Sequence, residues 1–376
     1  MWIEHRDALE PHKISLEHGA WIGSGQMFCV GLGLESWQAA LGCRCVREIT
    51  LNIDQQGLVG AIDFGGTNIR AAVVDCDGAV DGFVTRPTDA TDGPDVVIER
   101  VVATLYEALE RASVSKATLS AVGIGAPGPL DWRRGVIHEA PNLPGWIDVP
   151  LVDRVAAATG VTTFLENDAN AAALAEFTYG ENRAALNMLY ITVSTGVGGG
   201  LILDGHLWHG AFGSAGEFGH MTVDLDGPVC DCGNVGCIEA FASGPDMAAW
   251  VTSQIESGRP GPLRPLIGRG TTLTGHHVVE AAKRGDALAV EALARAGRAI
   301  GFGIINVAHL VNLDLVVVGG GIANAGALLF RPLRVVVDAH LLKSTAPNIR
   351  VESWSLGENV GILGAASAAR TRLVHL

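Results

Sequence analysis

Asp63-Phe-Gly-Gly-Thr-Asn-Ile-Arg70 is the stretch on which the reading of this chain turns. Residues 58–62, just before it, are apolar and short, and predict a buried strand that runs into a glycine turn. Residues 69–74 predict a second strand, Asp77-Gly78 a hairpin, and 80–85 a third strand. The same order returns later: a strand over 188–193, a glycine-rich turn over 194–200, a strand over 201–203, and an Asp204-Gly205 hairpin. A strand, a Gly-Thr turn, a strand and an Asp-Gly hairpin, occurring twice, predict two related α/β halves with a cleft between them.

Between and after these blocks the pattern stays α/β. Apolar residues at Val96, Val97, Val101, Val102, Leu105 and Leu109 mark one face of a helix over 95–112. Strands are expected at 118–124 and 161–165, and helices at 151–159 and 169–177. A helical stretch over 274–311 leads to a strand at 313–318, and a helix over 360–372 closes the chain.

Composition narrows the class. The 376 residues are 48% hydrophobic and 18% charged, which suits a packed core and excludes a disordered chain. The net charge of −14 argues against a broad nucleic-acid-binding face, which needs phosphate-neutralising cations. Seven cysteines, an odd number, and no basic-then-apolar leader argue against a secreted disulfide framework. No stretch is apolar enough to suggest a membrane span, and a cytoplasmic location is expected. Residues 1–57 differ from the rest: they show no clear periodicity, and their few basic residues are scattered.

Four further stretches carry chemistry. Adjacent glycines let backbone N–H groups reach phosphate oxygens, so the turns at Gly65-Gly66 and 194–200 suit two phosphate loops facing each other. Asp63, at a strand end, suits a hydrated Mg²⁺. Val316-Val-Val-Gly-Gly-Gly-Ile322 is a buried strand feeding three glycines, as a flat adenosine lying against backbone would require. Glu166-Asn-Asp-Ala-Asn170 sits where a strand meets a helix. Asp168 there has two readings, a helix cap or a general base. Gly216-Glu-Phe-Gly-His220 precedes Cys230-Asp-Cys232 and Cys237-Ile-Glu239. One histidine and three cysteines within eighteen residues predict a tetrahedral, structural Zn²⁺ site. Glu217 and Glu239 are not needed as metal ligands and point to a polyol site beside it.

Together the motifs DFGGTNIR, GAPGPLD, APNLPGW, ENDANAAALAE, STGVGGGLILDG, GEFGH with CDCGNVGCIE, and VVVGGGI resemble those of the ROK family of sugar kinases and related repressors, over about residues 58–374. The resemblance implies an α/β, actin-like ATPase fold of the hexokinase type. Its smaller domain would span 58–167, joined by the C-terminal helix 360–374, and its larger domain 168–359. It implies phosphoryl transfer from ATP with Mg²⁺ to the primary hydroxyl of a hexose. Glucose is the first candidate sugar and N-acetylmannosamine or N-acetylglucosamine the alternative.

By resemblance, Asp168 is the general base, and Asn142, Asn167, Glu217, His220 and Glu239 hold the sugar. Asp63, Gly65, Gly66, Thr67 and Asn68 form the first phosphate loop, Thr195 and Gly196 belong to the second, and Gly319, Gly320 and Gly321 lie by the adenosine. His220, Cys230, Cys232 and Cys237 hold zinc, and a dimer or tetramer is expected. A sugar-responsive repressor is the competing class. Residues 1–57 lack the basic two-helix pattern such a protein would place there.

Overall fold

The computed structural model describes residues 57–140, 143–181, 185–267, 271–342 and 349–374, all within the compact unit Glu48–Leu376. The expectations for Asn142 and for residues 1–56 lie outside the described residues.

The internal repeat is visible in the sheets. β1 (Leu58–Phe64), β2 (Asn68–Val74), β3 (Val80–Pro87) and β4 (Leu119–Ala126) come first. β5 (Leu130–Asp131), β6 (Val136–Glu139) and β7 (Ile147–Val149) form a small antiparallel sheet, and β8 (Thr163–Asn167) follows. The second half holds β9 (Met188–Val193), β10 (Val197–Leu203), β11 (His206–Leu207), β12 (Leu315–Gly319) and β13 (Arg350–Ser353). One five-stranded sheet runs β3-β2-β1-β4-β8 and the other β11-β10-β9-β12-β13. In each, an antiparallel meander of three strands is extended by two parallel strands. The two sheets match strand for strand in order and sense.

The first sheet is covered on both faces, so β1 reads as a nearly continuous apolar run. Ile62 and Phe64 pack with the helix Gly93–Arg111, while Val59 and Ala61 pack with the C-terminal helix Val360–Leu373. The Asp204-Gly205 turn has φ of 50° and 77°, the paired left-handed geometry of a type I′ hairpin. The expected 274–311 helix is two helices, Gly275–Lys283 and Ala287–Val311. The break falls at Gly285 (φ 86°), and Asp286 caps the second helix by accepting from the Ala289 N–H at 2.7 Å.

The glycines after Ser194 also depart from the expected turn over 194–200. Only 194–196 is turn; Gly198, Gly199 and Gly200 lie inside β10. Gly198 and Gly200 are small because the helix Asp168–Tyr179 packs against the strand at close range, and Gly199 because Gly216 and Phe218 crowd its other face. A Cβ on Gly200 would stand 2.6 Å from the Ala173 Cβ and 2.8 Å from the Ala169 carbonyl oxygen. On its other side the same helix meets Gly364 of the C-terminal helix, where a Cβ would come within 2.3 Å of the Ala171 carbonyl oxygen. The helix is therefore buried along Ala169–Glu176 on all sides, which accounts for its run of alanines.

Glu176, near the end of that helix, is itself buried. Its carboxylate accepts from the Ser355 and Leu356 N–H groups (2.8 and 3.0 Å) and from the Ser355 hydroxyl (2.8 Å). It thereby ties the chain's passage from β8 to β9 to its return from β13 to the C-terminal helix. Among the described residues no helix is long and apolar enough to cross a membrane.

Gly200→Val is expected to destabilise the protein by about 3 kcal/mol, the upper part of the usual range for overpacking a close contact. An unchanged urea midpoint in that variant would contradict the packing described.

Candidate active site

The ends of both sheets and the start of the Asp168 helix meet at one cleft, lined by Asp63, Arg70, Asp168, Ser194, Gly320 and Gly321 among others. Asp63 is the penultimate residue of β1 and stands directly across from Arg70 on β2. The Arg70 guanidinium donates to its carboxylate at 2.9 Å. Removal from water raises the Asp63 pKa despite that cation. Gly361 of the C-terminal helix closes over it, and a Cβ there would stand 2.6 Å from the carboxylate.

The helix cap is Asn167, whose side-chain oxygen accepts from the Ala169 and Asn170 N–H groups (3.0 and 3.2 Å). Asp168 is the first helical residue. Its carboxylate accepts from the Ala169 N–H at 2.8 Å and opens onto the cleft. Although open on that side, the group is hemmed in by protein. Desolvation pushes its pKa up to about 6 against the Ala169 hydrogen bond, and the Asp63 charge adds to the rise.

The first glycine turn, Gly65 to Thr67, joins β1 to β2, with Asn68 opening β2. The Gly65 N–H donates to the Asn68 carbonyl at 2.9 Å. Thr88, fully buried, braces the turn from behind: its hydroxyl donates to the Gly65 carbonyl (2.6 Å) and its N–H to the Thr67 carbonyl (2.8 Å). In the second turn Ser194 lines the cleft, and its N–H donates to the Gly196 carbonyl at 2.9 Å; Thr195 beside it is exposed. Gly319 packs under Tyr190 and Trp354, while Gly320 and Gly321 line the cleft. Gly320 has φ 89° and lies against the Val193 backbone, a conformation and a contact that no side chain would tolerate.

His220, Cys230, Cys232 and Cys237 converge, their ligand atoms all lying within 4.8 Å of one another. The Cys230 Sγ to His220 Nδ1 distance is 3.8 Å and the Cys232 to Cys237 Sγ distance 3.7 Å. Metal–sulfur and metal–nitrogen bonds of about 2.3 and 2.0 Å give tetrahedral edges of about 3.5–3.8 Å, so the donor set fits zinc. Glu239 connects this cluster to the second glycine turn, since its carboxylate accepts from the Val197 N–H at 2.7 Å and lies 4.0 Å from the Cys230 sulfur. Glu217 precedes the short 3₁₀ turn Phe218–His220. Glu217, His220 and Glu239 thus gather around the cysteine loop, with Glu239 reaching the second glycine turn.

The sequence reading gave no part to Arg70, Thr88 or the wall formed by Trp354, Gly357 and Glu358. The run of small residues from Gly361 to Ala369 was the available signal for the last of these. It marks a helix pressed against other backbone, with the cleft at its head.

The ROK family model matches residues 59–372. A glucokinase of Thermotoga maritima is 35% identical over 316 residues, 84% of this chain and 98% of that one. A putative xylose repressor of a Caldicellulosiruptor species is 30% identical over 324 residues, 85% of this chain and 80% of that one. The crystal structure of a ROK family glucokinase from Streptomyces griseus, in complex with glucose and AMPPNP, is 34% identical. It superposes with a TM-score of 0.72, covering 84% of this chain and 100% of that one. The matched pair of sheets around a cleft is the actin-like ATPase fold, and with the family model spanning nearly all the described residues, the chain belongs to the ROK family.

Proposed function

We propose that this protein transfers the γ-phosphoryl group of ATP to the primary hydroxyl of a hexose, glucose first among them. It is an ATP-dependent sugar kinase by its family relatives. The observation that carries the reading is Asp168: Asn167 does the capping, which leaves a crowded carboxylate with pKa about 6 facing the cleft, with Asp63, Arg70 and Ser194 also lining it.

In this reading Asp168 takes the proton of the sugar hydroxyl as that oxygen attacks phosphorus. A carboxylate with raised proton affinity is a stronger base than a solvated one while still ionised at neutral pH. The Gly65–Asn68 and Ser194–Gly196 turns cradle the phosphates, Arg70 adds a cation beside them, and Gly319–Gly321 offer flat backbone to the adenosine. Two acidic groups at one cleft suit a hydrated Mg²⁺, which would neutralise phosphate charge. Asn142, Asn167, Glu217, His220 and Glu239 form the sugar side, His220 turning Nδ1 to the cysteines and leaving Nε2 for a hydroxyl. Movement of the two sheet-built halves, 58–167 with the C-terminal helix against 168–359, would exclude water as a competing acceptor.

The repressor reading lacks support from charge: a chain at −14 has little with which to neutralise DNA phosphates.

Coupled ADP release with ATP as donor, and sugar-phosphate formation with polyphosphate as donor, across glucose, other hexoses and the N-acetylated hexosamines, tests the function. Turnover is expected with glucose and ATP, and silence with every sugar would refute the proposal. In the same assay Asp168→Ala is expected to lose about 10²–10⁴-fold in kcat, with sugar binding largely kept.

The base must be ionised. Asp168 protonates as pH falls through about 6, so log kcat/KM is expected to drop with unit slope below that pH and to level off above it. A flat profile down to pH 4.5 would remove Asp168 from the role.

Zinc is expected at one ion per chain by elemental analysis. Its removal by a chelator is expected to lower Tm by on the order of 5–10 °C, because the ion closes the 220–237 loop. Metal-free protein with unchanged Tm would refute a structural ion.

A further inference from the structure

Two residues before Asp168 begins a buried polar cluster that the proposed mechanism does not use. Glu166, the residue before Asn167, has a side chain only 3% exposed. One carboxylate oxygen accepts from the Asn167 N–H (3.0 Å) and from the Asn170 side-chain amide (3.1 Å). The other meets Nε2 of His209 at 2.8 Å. His209 lies flat against Trp132, with ring centroids 3.9 Å apart and planes 18° from parallel. Trp132 is anchored in turn by Arg372 of the C-terminal helix, which donates to its carbonyl at 2.7 Å and places its guanidinium 5.0 Å from the ring.

Each partner belongs to a different stretch. Glu166 is the penultimate residue of β8 and leads directly into Asn167 and Asp168. His209 begins the segment that runs to Glu217 and His220, and its carbonyl accepts from the Ala215 N–H at 3.1 Å, bracing that segment just before Glu217. Trp132 directly follows β5 and begins the turn over 132–135 that leads into β6. A carboxylate this buried requires its donors, and losing one leaves an acceptor without compensation. The imidazole is therefore held in place by a hydrogen bond on one edge and by a ring against one face.

We infer that Glu166, His209 and Trp132 form a positioning clamp. It fixes the Glu217–His220 segment relative to the Asp168 carboxylate, and so sets the affinity of the site for its hexose. The inference rests on the sugar-site reading above. His209 is a positioning residue in it: it acts through Glu166 and through the backbone before Glu217, and touches no substrate.

The test separates the hydrogen bond from the ring. His209→Phe keeps a flat ring for Trp132 and removes the donor to Glu166; His209→Gln restores a donor of similar reach. Glucose and ATP dissociation constants are measured by calorimetry on the full chain, with Tm recorded for each variant, so that no turnover is needed. His209→Phe is expected to weaken glucose binding about tenfold, the effect of one buried hydrogen bond, with ATP affinity within about twofold and Tm within a few degrees. His209→Gln is expected to return glucose affinity to within about threefold of the parent.

Glucose affinity unchanged in His209→Phe would overturn the clamp. So would a parallel loss of glucose affinity, ATP affinity and Tm, which marks a general structural role, or a Gln variant no better than Phe. A parent protein that binds ATP but no hexose would instead overturn the sugar-site reading itself.

Discussion

A helix must satisfy the free N–H groups of its first turn, and here the side chain of Asn167 does so. That assignment determines what the neighbouring acid is free to do. Had Asp168 been the cap, its charge would have been spent on backbone N–H groups within the helix. As the first helical residue it keeps one hydrogen bond to Ala169 and turns the rest of its carboxylate to the cleft. The helix dipole favours the ionised form, while crowding and the charge of Asp63 oppose it, and the opposition wins.

The position of that carboxylate depends on contacts made without side chains. The helix that carries it lies against glycines in β10 and in the C-terminal helix, close enough that backbone atoms rather than rotamers set the spacing. Such a contact leaves little room to adjust. Glycines recur at the cleft floor, Gly361 against the Asp63 carboxylate and Gly320 against the Val193 backbone. The thiol-rich loop is joined to this floor through Glu239, which holds Val197 where β10 begins.

Much of the fold could be read from local pattern. The twice-repeated strand, turn, strand and Asp-Gly hairpin corresponds to the antiparallel meander of each sheet, and the cysteine spacing to a cluster of the right size for a tetrahedral ion. What could not be read was set by partners distant in the chain. Gly198 to Gly200 look like a loop because glycine suits both a turn and a strand packed too tightly for a side chain; only the helix on one face and the Gly216–Phe218 segment on the other distinguish the two. Glu166 reads as one more polar residue at a strand end until His209, forty-three positions on, arrives beside it. β13 and the wall after it have no periodicity of their own and acquire meaning from β12. For Asp168, the choice between cap and base depended on a neighbour's rotamer, which spacing does not encode.

The Glu176 carboxylate has a mechanical consequence. The polypeptide passes between the two sheets once after β8 and once after β13, and a single buried side chain grips the second passage while belonging to the first. The crossings are therefore tied to each other: drawing one away from the other would strip three donors from a buried carboxylate.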